Sequence, residues 1–563
     1  MLKTKLVSSL EKCFIDDDYN SFDEVKKINI YKNTDAAFQF LAFDEAEADD
    51  ARQVFKIKAE GDLKEFVSFR EVCSVPNYIA AKATPKTAME QDPDYLRAEP
   101  GLYPDVLTEL YKKELIMVLN QQLHPIWIDV KNNGTFSAGE HELTIQLFDE
   151  QDNFISENKI IINVIDVCLP EQKTKVTQWF YADCLADYYD VDVWSDRHFE
   201  ICKNFIKTAV ENGINMILLP AFTPPLDTAV GGERTTTQLV KVTKENGKYS
   251  FDFSLVDRWI AICKECNVKY FEIAHLFTQW GAYHAPKIIA TVDGKEERIF
   301  GWETDADSAD YVEFLNLFLA EFTKYLEQKG LKDSVYFHIS DEPNETHVEQ
   351  YKKNHKNIEK VLSGWKILDA LSHVEFYQQG LCEIPVPVSY KIEQFLSEDI
   401  KERWIYYCCN PYISYSNRFM CMHSARTRFM GIQMYKYDIE GFLHWGYNFY
   451  NCQFSYSSNN PFLNGNAGYF AGGGDAVSVY PGKKGQPLES LRIIAFAQGL
   501  EDIRALKKCE EFYSKEEIVS ELDKAFGESI VFEKCANDTK TMQKIRDVID
   551  SMIIDKLNNG AEV

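Results

Sequence analysis

The sequence contains no continuous run of about 20 apolar residues, the length that a membrane-spanning helix requires. Residues 1–12 also lack an apolar stretch as long as that of a secretory signal peptide. We therefore expect no insertion into a membrane and a cytoplasmic location.

Clusters of basic residues are also missing. The chain has 61 Lys and Arg against 88 Asp and Glu, a formal net charge of −27. Nucleic acids and anionic membranes bind through clustered cations, so this charge balance argues against both as partners. A neutral or weakly charged substrate fits better.

The 14 cysteines show no regular spacing in the 563 residues. In a chain of this size, such a distribution indicates reduced and mostly buried thiols and not a disulfide framework.

Aromatic residues, by contrast, are abundant, with 30 Tyr and 37 Phe. Most of them are expected in hydrophobic cores, but flat rings also provide surfaces on which sugars stack.

Residues 1–170 read as short strands separated by polar turns. Apolar and polar residues alternate at 54–59 and 142–148, and Asn132-Asn-Gly134 is a turn signal. This pattern predicts a β-sandwich, either a scaffold for the next domain or a sugar-binding module.

Residues 171–510 alternate apolar strands with amphipathic helices, which predicts a parallel sheet. The helices include 196–212 and 309–329. Eight strands are expected, at 176–184, 215–222, 268–276, 334–342, 366–374, 384–390, 403–410 and 441–448. That number predicts a (β/α)8 barrel, followed by a C-terminal helical segment at 511–563.

The fourth of these strands ends in two adjacent carboxyls, Asp341 and Glu342, directly before Pro343. Catalytic groups of (β/α)8 barrels lie at the carboxyl ends of the strands. Alternation directs His338, Ser340 and Glu342 to the barrel interior, and a bend at 340–341 is expected to turn Asp341 into the mouth as well. The structural alternative is a salt bridge or a loop cap for Asp341, and a buried partner of an arginine for Glu342.

Other strand ends carry groups suited to a sugar site, where aromatic faces stack on the ring and polar groups bond its hydroxyls. The candidate substrate-binding residues are His275, Trp280, His338, Asn410, Tyr412, Trp445, Tyr447 and Asp475. Asp475 follows the glycines at 472–474, a stretch that lacks the Lys-Ser/Thr of a phosphate-binding loop and is expected to be a mouth loop.

Several motifs together resemble glycoside hydrolase family 123, the β-N-acetylgalactosaminidases. They are Pro-Ala-Phe-Thr-Pro-Pro-Leu-Asp at 220–227, His-Leu-Phe-Thr-Gln-Trp at 275–280, Phe-Gly-Trp at 300–302, Ser-Asp-Glu-Pro at 340–343, Gly-Phe-Leu-His-Trp-Gly-Tyr-Asn at 441–448, Tyr-Pro-Gly at 480–482, and Ser-Leu-Arg at 490–492 with Gly-Leu-Glu-Asp at 499–502. One departure is the absence of an acid two residues after Arg492, which leaves that arginine without an assigned partner.

The resemblance implies a β-sandwich followed by a barrel and a retaining mechanism in which the 2-acetamido group of the substrate is the nucleophile. Glu342 would then be the general acid and later the base, which requires burial or the charge of Asp341 to raise its pKa. Asp341 would accept the acetamido N–H, and Tyr412 or Tyr447 would donate to the acetamido oxygen. The implied substrate is a terminal β-linked N-acetylgalactosamine of a glycan or glycosphingolipid, with no metal or organic cofactor.

Two alternatives remain open from the sequence. One is a conventional glycosidase with Glu342 as acid and a nucleophile on a later strand, although the seventh strand has no carboxyl at its end. The other is a non-catalytic carbohydrate-binding protein. The sequence does not indicate the oligomeric state.

Overall fold

The computed structural model describes residues 1–46, 52–81, 92–229, 232–558 and 560. Its N-terminal part consists of strands β1 (Leu2–Ser8), β2 (Lys27–Tyr31), β3 (Ala36–Asp44), β4 (Arg52–Gly61), β5 (Val67–Asn77), β6 (Gly101–Glu109), β7 (Leu115–Leu119), β8 (Leu123–Val130), β9 (Gly139–Phe148) and β10 (Phe154–Ile165). They form two five-stranded sheets, with the orders β1-β3-β8-β5-β6 and β2-β10-β9-β4-β7.

The hydrophobic core of this sandwich follows from the alternation of its strands. Phe38 and Phe40 in β3, Ile126 in β8 and Ile145 in β9 are fully buried in one cluster of apolar side chains. Successive side chains of a strand point to opposite faces, so each strand contributes every second residue to this core.

The remaining strands are β11 (Lys175–Gln178), β12 (Met216–Leu219), β13 (Lys241–Glu245), β14 (Lys248–Asp252), β15 (Tyr270–Ile273), β16 (Ile288–Val292), β17 (Lys295–Phe300), β18 (Val335–Phe337), β19 (Lys366–Ala370), β20 (Ile384–Val386), β21 (Trp404–Tyr406), β22 (Gly441–His444), β23 (Val479–Pro481) and β24 (Pro487–Glu489). Eight of them form a parallel sheet in the order β20-β19-β18-β15-β12-β11-β22-β21. A bridge between Val388 and Tyr406 links the two ends, so that the sheet is a nearly closed barrel.

The helices are α1 (Ala182–Tyr189), α2 (Asp196–Glu211), α3 (Ser254–Glu265), α4 (Ala309–Gln328), α5 (Val348–Ile358), α6 (Val374–Gln378), α7 (Glu393–Leu396), α8 (Ser424–Lys436), α9 (Leu491–Cys509), α10 (Lys515–Phe526) and α11 (Thr539–Asn558). Helices α2 and α4 each end one residue before the predicted boundary. Helices lie between successive barrel strands along the chain, as a parallel sheet requires.

The predicted fold class, a β-sandwich followed by a (β/α)8 barrel and C-terminal helices, is confirmed. All eight predicted barrel strands are present, but each is only three to five residues long. The predicted carboxyl-terminal halves of the strands instead leave the hydrogen-bonded ladder and form the loops of the mouth.

The C-terminal helices pack on the barrel helices. Helix α11 buries Ile545, Ile549 and Ile553, and its Asp550 accepts a 2.6 Å hydrogen bond from the hydroxyl of Tyr31 in the sandwich. The predicted helical segment extends to 563, but residues 559 and 561–563 lie outside the described residues. Within the described chain, no helix combines the length and apolar character needed to cross a membrane.

Candidate active site

The acid pair lies in the loop after strand β18, four and five residues beyond Phe337, the last residue of that strand. Tyr336 and His338 project into the barrel, while Phe337 packs outward against Phe322 of α4 and Trp365. The chain bends at Asp341 and Glu342, and Glu342 has a φ of 46°, in the left-handed region. That conformation costs a non-glycine residue about 1–3 kcal/mol and is concentrated at functional sites.

Backbone hydrogen bonds from both neighbouring strands hold the pair at the mouth. The N–H of Glu342 donates to the carbonyl of Ala370 at the end of β19, at 2.9 Å. The carbonyl of Asp341 accepts from the N–H of Trp280, in the loop after β15, at 2.8 Å. The two carboxyls are therefore fixed between adjacent strand ends and are not part of a free loop.

Tyr406, which is not among the site residues predicted from the sequence, contacts Glu342. Its hydroxyl donates to Oε1 of Glu342 at 2.6 Å. Tyr406 is the last residue of β21 and is buried, whereas Glu342 is exposed. The indole of Trp404, two residues earlier in β21, faces the barrel interior beside Tyr336. Because side chains alternate along a strand, Tyr406 faces the interior too, and this alternation could have predicted its position from the sequence.

The surroundings of Asp341 disfavour its ionised form. Burial and the adjacent charge of Glu342 raise the pKa of Asp341 well above its usual range, with the carboxylates of Asp369 and Glu272 acting in the same direction. Two adjacent carboxyls resist simultaneous ionisation, which favours the protonated form of Asp341.

His338 lies inside the barrel between two buried carboxyls. Nδ1 is 3.1 Å from Oδ1 of Asp369, and Nε2 contacts Glu272. Burial disfavours the imidazolium, but the charges of Glu272 and Asp369 outweigh it and raise the pKa of His338 to about 9. His338 is therefore a buried cation that neutralises part of the acidic interior, and its ring nitrogens are both engaged.

Further donors complete this interior network. Glu272 also accepts from Thr177 at 2.5 Å and from Trp179 Nε1 at 2.8 Å. Asp369 accepts from the N–H of Ile339 at 2.9 Å and from the hydroxyl of Tyr351. Both carboxyls are thus fully occupied below the mouth.

His275 stacks on His338, with ring centroids 4.2 Å apart. Burial and the charge of His338 lower its pKa well below the usual value, so the ring is neutral. Neither ring nitrogen has a hydrogen-bond partner among the described residues. Buried polar atoms are nearly always bonded, so these nitrogens are suited to a ligand or water molecule.

Trp280 and Trp445 lie at different sides of the mouth. Trp280 is 43% exposed and its ring meets Phe454 edge-on, at 5.8 Å between centroids. Trp445 follows β22, is half-buried, and donates from Nε1 to Oδ2 of Asp475 at 3.1 Å. Asp475 is fully buried, so its place is behind the indole of Trp445.

The surroundings of Asp475 are polar and closed. Burial raises its pKa to about 7 against the opposing charge of Arg418. Its Oδ1 lies 3.3 Å from Nε2 of His444, and neither atom makes a hydrogen bond within the described structure. The sequence predicted a contact between Asp475 and a sugar hydroxyl, whereas in the structure Oδ2 of Asp475 accepts a hydrogen bond from Trp445.

Asn410 and Tyr412 lie in the loop after β21, where both are half-buried. The carbonyl of Asn410 accepts from the N–H of Cys408 at 2.9 Å, and the peptide bond between Asn410 and Pro411 is cis. This loop starts from the strand that carries Tyr406, so the structure keeps both residues on the mouth side of the barrel.

Tyr447 has a different position from that expected for a substrate-binding residue. It is fully buried, its ring stacks on Phe180 at 6.1 Å, and its hydroxyl donates to the carbonyl of Phe205 in α2 at 2.8 Å. These contacts place it beneath α2. The expectation that Tyr447 stacks on the sugar or donates to the acetamido group is therefore wrong.

The motif residues after β12 join its loop to that after β15. Gln279 Oε1 accepts from the N–H of Asp227 at 2.6 Å, and Gln279 Nε2 donates to the carbonyl of Thr228 at 3.0 Å. Trp302 Nε1 donates to Thr228 Oγ1 at 3.1 Å. These residues shape the mouth by holding its loops together.

Comparison with known proteins agrees with this architecture. The model of the glycoside hydrolase 123 catalytic domain matches residues 179–509, more than half of the chain. A family 123 glycoside hydrolase from Clostridium perfringens, described for glycolipid glycan hydrolysis, has a similar structure, with a TM-score of 0.75, 14% identity and 100% coverage of both chains. None of the curated proteins compared with the chain matches it.

Two other solved structures overlap only in part. An endo-β-1,4-mannanase from Thermotoga petrophila has a TM-score of 0.34 at 10% identity, covering 59% of this chain and 77% of its own. A family 5 mannosidase from Rhizomucor miehei has a TM-score of 0.31 at 12% identity, covering 59% and 94%.

The barrel, its paired carboxyls and the family match together define a glycoside hydrolase. The chain belongs to glycoside hydrolase family 123.

Proposed function

We propose that this glycosidase is a retaining exo-β-N-acetylgalactosaminidase that uses the 2-acetamido group of its substrate as the nucleophile. The observation that carries the proposal is the adjacency of Asp341 and Glu342 in the loop after β18, at the mouth of the barrel. A conventional retaining glycosidase needs two carboxyls about 5 Å apart on opposite sides of the anomeric carbon, whereas substrate assistance needs only one such acid. Two adjacent residues in one mouth loop suit the second arrangement.

The occupied carboxyls of the interior support the same choice. Glu272 and Asp369, the other acids whose charges act on Asp341, are bonded to His338 and to further donors. A nucleophile must be free to attack, so neither is suited to form a glycosyl-enzyme bond.

The proton of the acid pair suggests how the two roles separate. Asp341, whose pKa is raised, would accept the acetamido N–H and become ionised, because a donated hydrogen bond stabilises a carboxylate. Its proton would pass to Glu342, which then protonates the leaving oxygen. The acetamido oxygen closes onto C1, and ionised Glu342 next activates the water that opens the oxazolinium-like intermediate.

The remaining mouth residues would bind the sugar. In this proposal Trp280 and Trp445 present stacking faces, the unpartnered nitrogens of His275 bond a hydroxyl or water, and Asn410 lines the opposite wall. Tyr412 remains the candidate donor to the acetamido oxygen. Tyr406 orients Glu342 through its hydrogen bond.

The relative from Clostridium perfringens is described as hydrolysing glycolipid glycans. We propose the same class of substrate here, a terminal β-linked N-acetylgalactosamine on a glycolipid or related glycan. Location in the cytoplasm is a further part of the proposal, supported by 14 unpaired cysteines, many of them buried. Recovery of the native protein from the medium of intact cells would contradict that location.

The direct test is release of p-nitrophenol from the β-linked N-acetylgalactosaminide, N-acetylglucosaminide, galactoside and glucoside. We expect strong turnover of the first, with kcat reduced about 10²- to 10⁴-fold in Asp341→Asn and Glu342→Gln. Equal cleavage of the plain galactoside would refute the acetamido nucleophile.

The thiazoline of N-acetylgalactosamine distinguishes the alternatives, because it mimics the bicyclic intermediate. A substrate-assisted enzyme is inhibited strongly, since such analogues bind far more tightly than substrates. A conventional two-carboxylate glycosidase would ignore the compound, and a non-catalytic binding protein would bind it without turning over any of the four substrates.

A further inference from the structure

A buried ion pair joins the sandwich to the barrel directly behind the mouth. Asp105 of β6 and Arg492 of α9 are both fully buried. Arg492 Nε and Nη2 donate to the two carboxylate oxygens of Asp105 at 2.7 and 2.8 Å. The hydroxyl of Tyr480 also donates to Asp105. This is the partner of Arg492 that the sequence did not reveal, and it comes from the other domain.

The third donor of the same guanidinium holds the glycine-rich loop. Arg492 Nη1 donates to the carbonyl of Gly474 at 2.6 Å. Gly474 has a φ of 88°, and a Cβ at this position would lie 2.7 Å from the guanidinium carbon of Arg492. Glycine is therefore required both for the backbone conformation and for the close approach of Arg492. The residue that follows is Asp475.

A second arginine fixes the loop one residue further. Arg418 Nη2 donates to the carbonyl of Asp475 at 3.0 Å and lies 2.8 Å from Nδ1 of His444. The side chain of Asp475 then accepts from the indole of Trp445 at 3.1 Å. A continuous set of hydrogen bonds thus runs from Asp105 through Arg492 and the loop to Trp445 at the mouth.

The sandwich contacts this loop at another point. The N–H of Gly473 donates to the carbonyl of Ile79 at 3.0 Å, and a Cβ on Gly473 would lie 2.4 Å from Oδ1 of Asn77. Glycine at position 473 therefore allows the loop backbone to approach the side chain of Asn77 in the sandwich.

We propose that Asp105 is a positioning residue of the active site, through which the sandwich domain sets the orientation of the Trp445 indole. The proposal rests on the proposed function, which makes Trp445 a sugar-stacking surface. Burying an ion pair contributes little net stability, because desolvation offsets the attraction, so fixing a particular geometry is the better account of a fully bonded pair.

The test compares Asp105→Asn with Arg70→Gln. Arg70 forms a matched contact between the domains, donating to Glu489 of β24 at 2.6 Å; its partners among the described residues are Glu489 and Asp129, outside the glycine-rich loop. Both variants lose an inter-domain charge pair. If Asp105 positions Trp445, only Asp105→Asn raises KM for the N-acetylgalactosaminide, by about tenfold, because lost sugar stacking weakens ground and transition states alike.

A second readout does not depend on catalysis. With 5-fluorotryptophan incorporated, the ¹⁹F resonance of Trp445 is assigned by its disappearance in Trp445→Phe. We expect this resonance to shift or broaden in Asp105→Asn and to stay unchanged in Arg70→Gln. An unchanged Trp445 resonance, or equal KM increases in both variants, would overturn the proposal. The resonance decides the matter even if the wild type cleaves a different glycoside.

If Asp105→Asn does not fold, Tyr480→Phe serves in its place. It removes one hydrogen bond to Asp105 and leaves the ion pair charged. The same Trp445 resonance should move in this variant by a smaller amount, and no movement in a folded Tyr480→Phe protein would then reject the positioning role.

Discussion

Tyr406 donates a 2.6 Å hydrogen bond to Oε1 of Glu342, across the barrel from β21 to the loop after β18. The two residues are 64 positions apart in sequence, and the closure of the barrel brings them together. The contact fixes the carboxyl that is proposed to move a proton twice in each catalytic cycle.

Replacing Tyr406 by Phe should therefore lower kcat more than it changes KM. Hydrogen bonds to charged groups contribute about 1.5–3 kcal/mol, which corresponds to about 10- to 150-fold in rate if the bond is made in the transition state. Steady-state kinetics with the p-nitrophenyl N-acetylgalactosaminide measures this effect. An unchanged kcat would show that Glu342 needs no orienting partner.

The two tyrosines proposed from the sequence should now behave differently. Tyr412→Phe should reduce kcat/KM for acetamido substrates, because it removes the candidate donor to the acetamido oxygen. Tyr447→Phe should leave the kinetics unchanged and lower the free energy of unfolding by about 1 kcal/mol, through loss of its hydrogen bond to Phe205. Similar kinetic losses in both variants would contradict this placement of Tyr447.

His338 should make stability dependent on alkaline pH. Its folded-state pKa of about 9 lies above the usual value of 6.5, so its stabilising charge is fully present below about pH 6.5 and is lost as the pH rises through 9. Denaturant titrations of wild type and His338→Gln should therefore show a difference in unfolding free energy that is largest near pH 6 and decreases towards pH 10. His141→Gln, at a half-buried site in β9 of the sandwich, is the matched histidine control. A constant difference across this range would contradict a buried imidazolium.

Replacing Asp475 by Asn should increase the free energy of unfolding, whereas replacing His338 should decrease it. Its pKa of about 7 lies above the ordinary value of 3.8, so ionisation costs the folded state increasing free energy between about pH 4 and pH 7. Asp475→Asn keeps an acceptor for Trp445 and removes that cost. The variant should therefore gain stability relative to wild type across this range and then level off, as measured by denaturant titration, with Asp196→Asn on the surface as the control. A flat difference would show that Asp475 is ionised throughout.

The sequence predicted the fold, and the place of the acid pair after the fourth barrel strand, because both follow from local patterns. Alternating apolar strands and amphipathic helices indicate a parallel barrel, and the two acids before Pro343 come shortly after its fourth strand, on the side of the mouth. Strand lengths were overestimated because apolar residues continue past the ladder into the buried walls of the mouth, where periodicity does not separate strand from loop.

Contacts between segments that are distant in sequence could not be predicted from local patterns. The sequence around Arg492 does not indicate its ion pair with Asp105, because the two residues meet only where the sandwich packs on the barrel. Tyr447 was misplaced because its position after β22 is shared with Trp445, while the structure turns its ring outward beneath α2. The inward orientation of Tyr406 could have been predicted, because side chains alternate along β21.

The central claim is that the acetamido oxygen attacks the anomeric carbon, and graded fluorination of that group tests it most directly. The p-nitrophenyl β-galactosaminides carrying acetyl, fluoroacetyl, difluoroacetyl and trifluoroacetyl groups differ little in size but progressively in the nucleophilicity of the carbonyl oxygen. The account predicts that kcat/KM falls steeply along this series. Values that stay level from acetyl to trifluoroacetyl would contradict it and would require a carboxylate nucleophile instead.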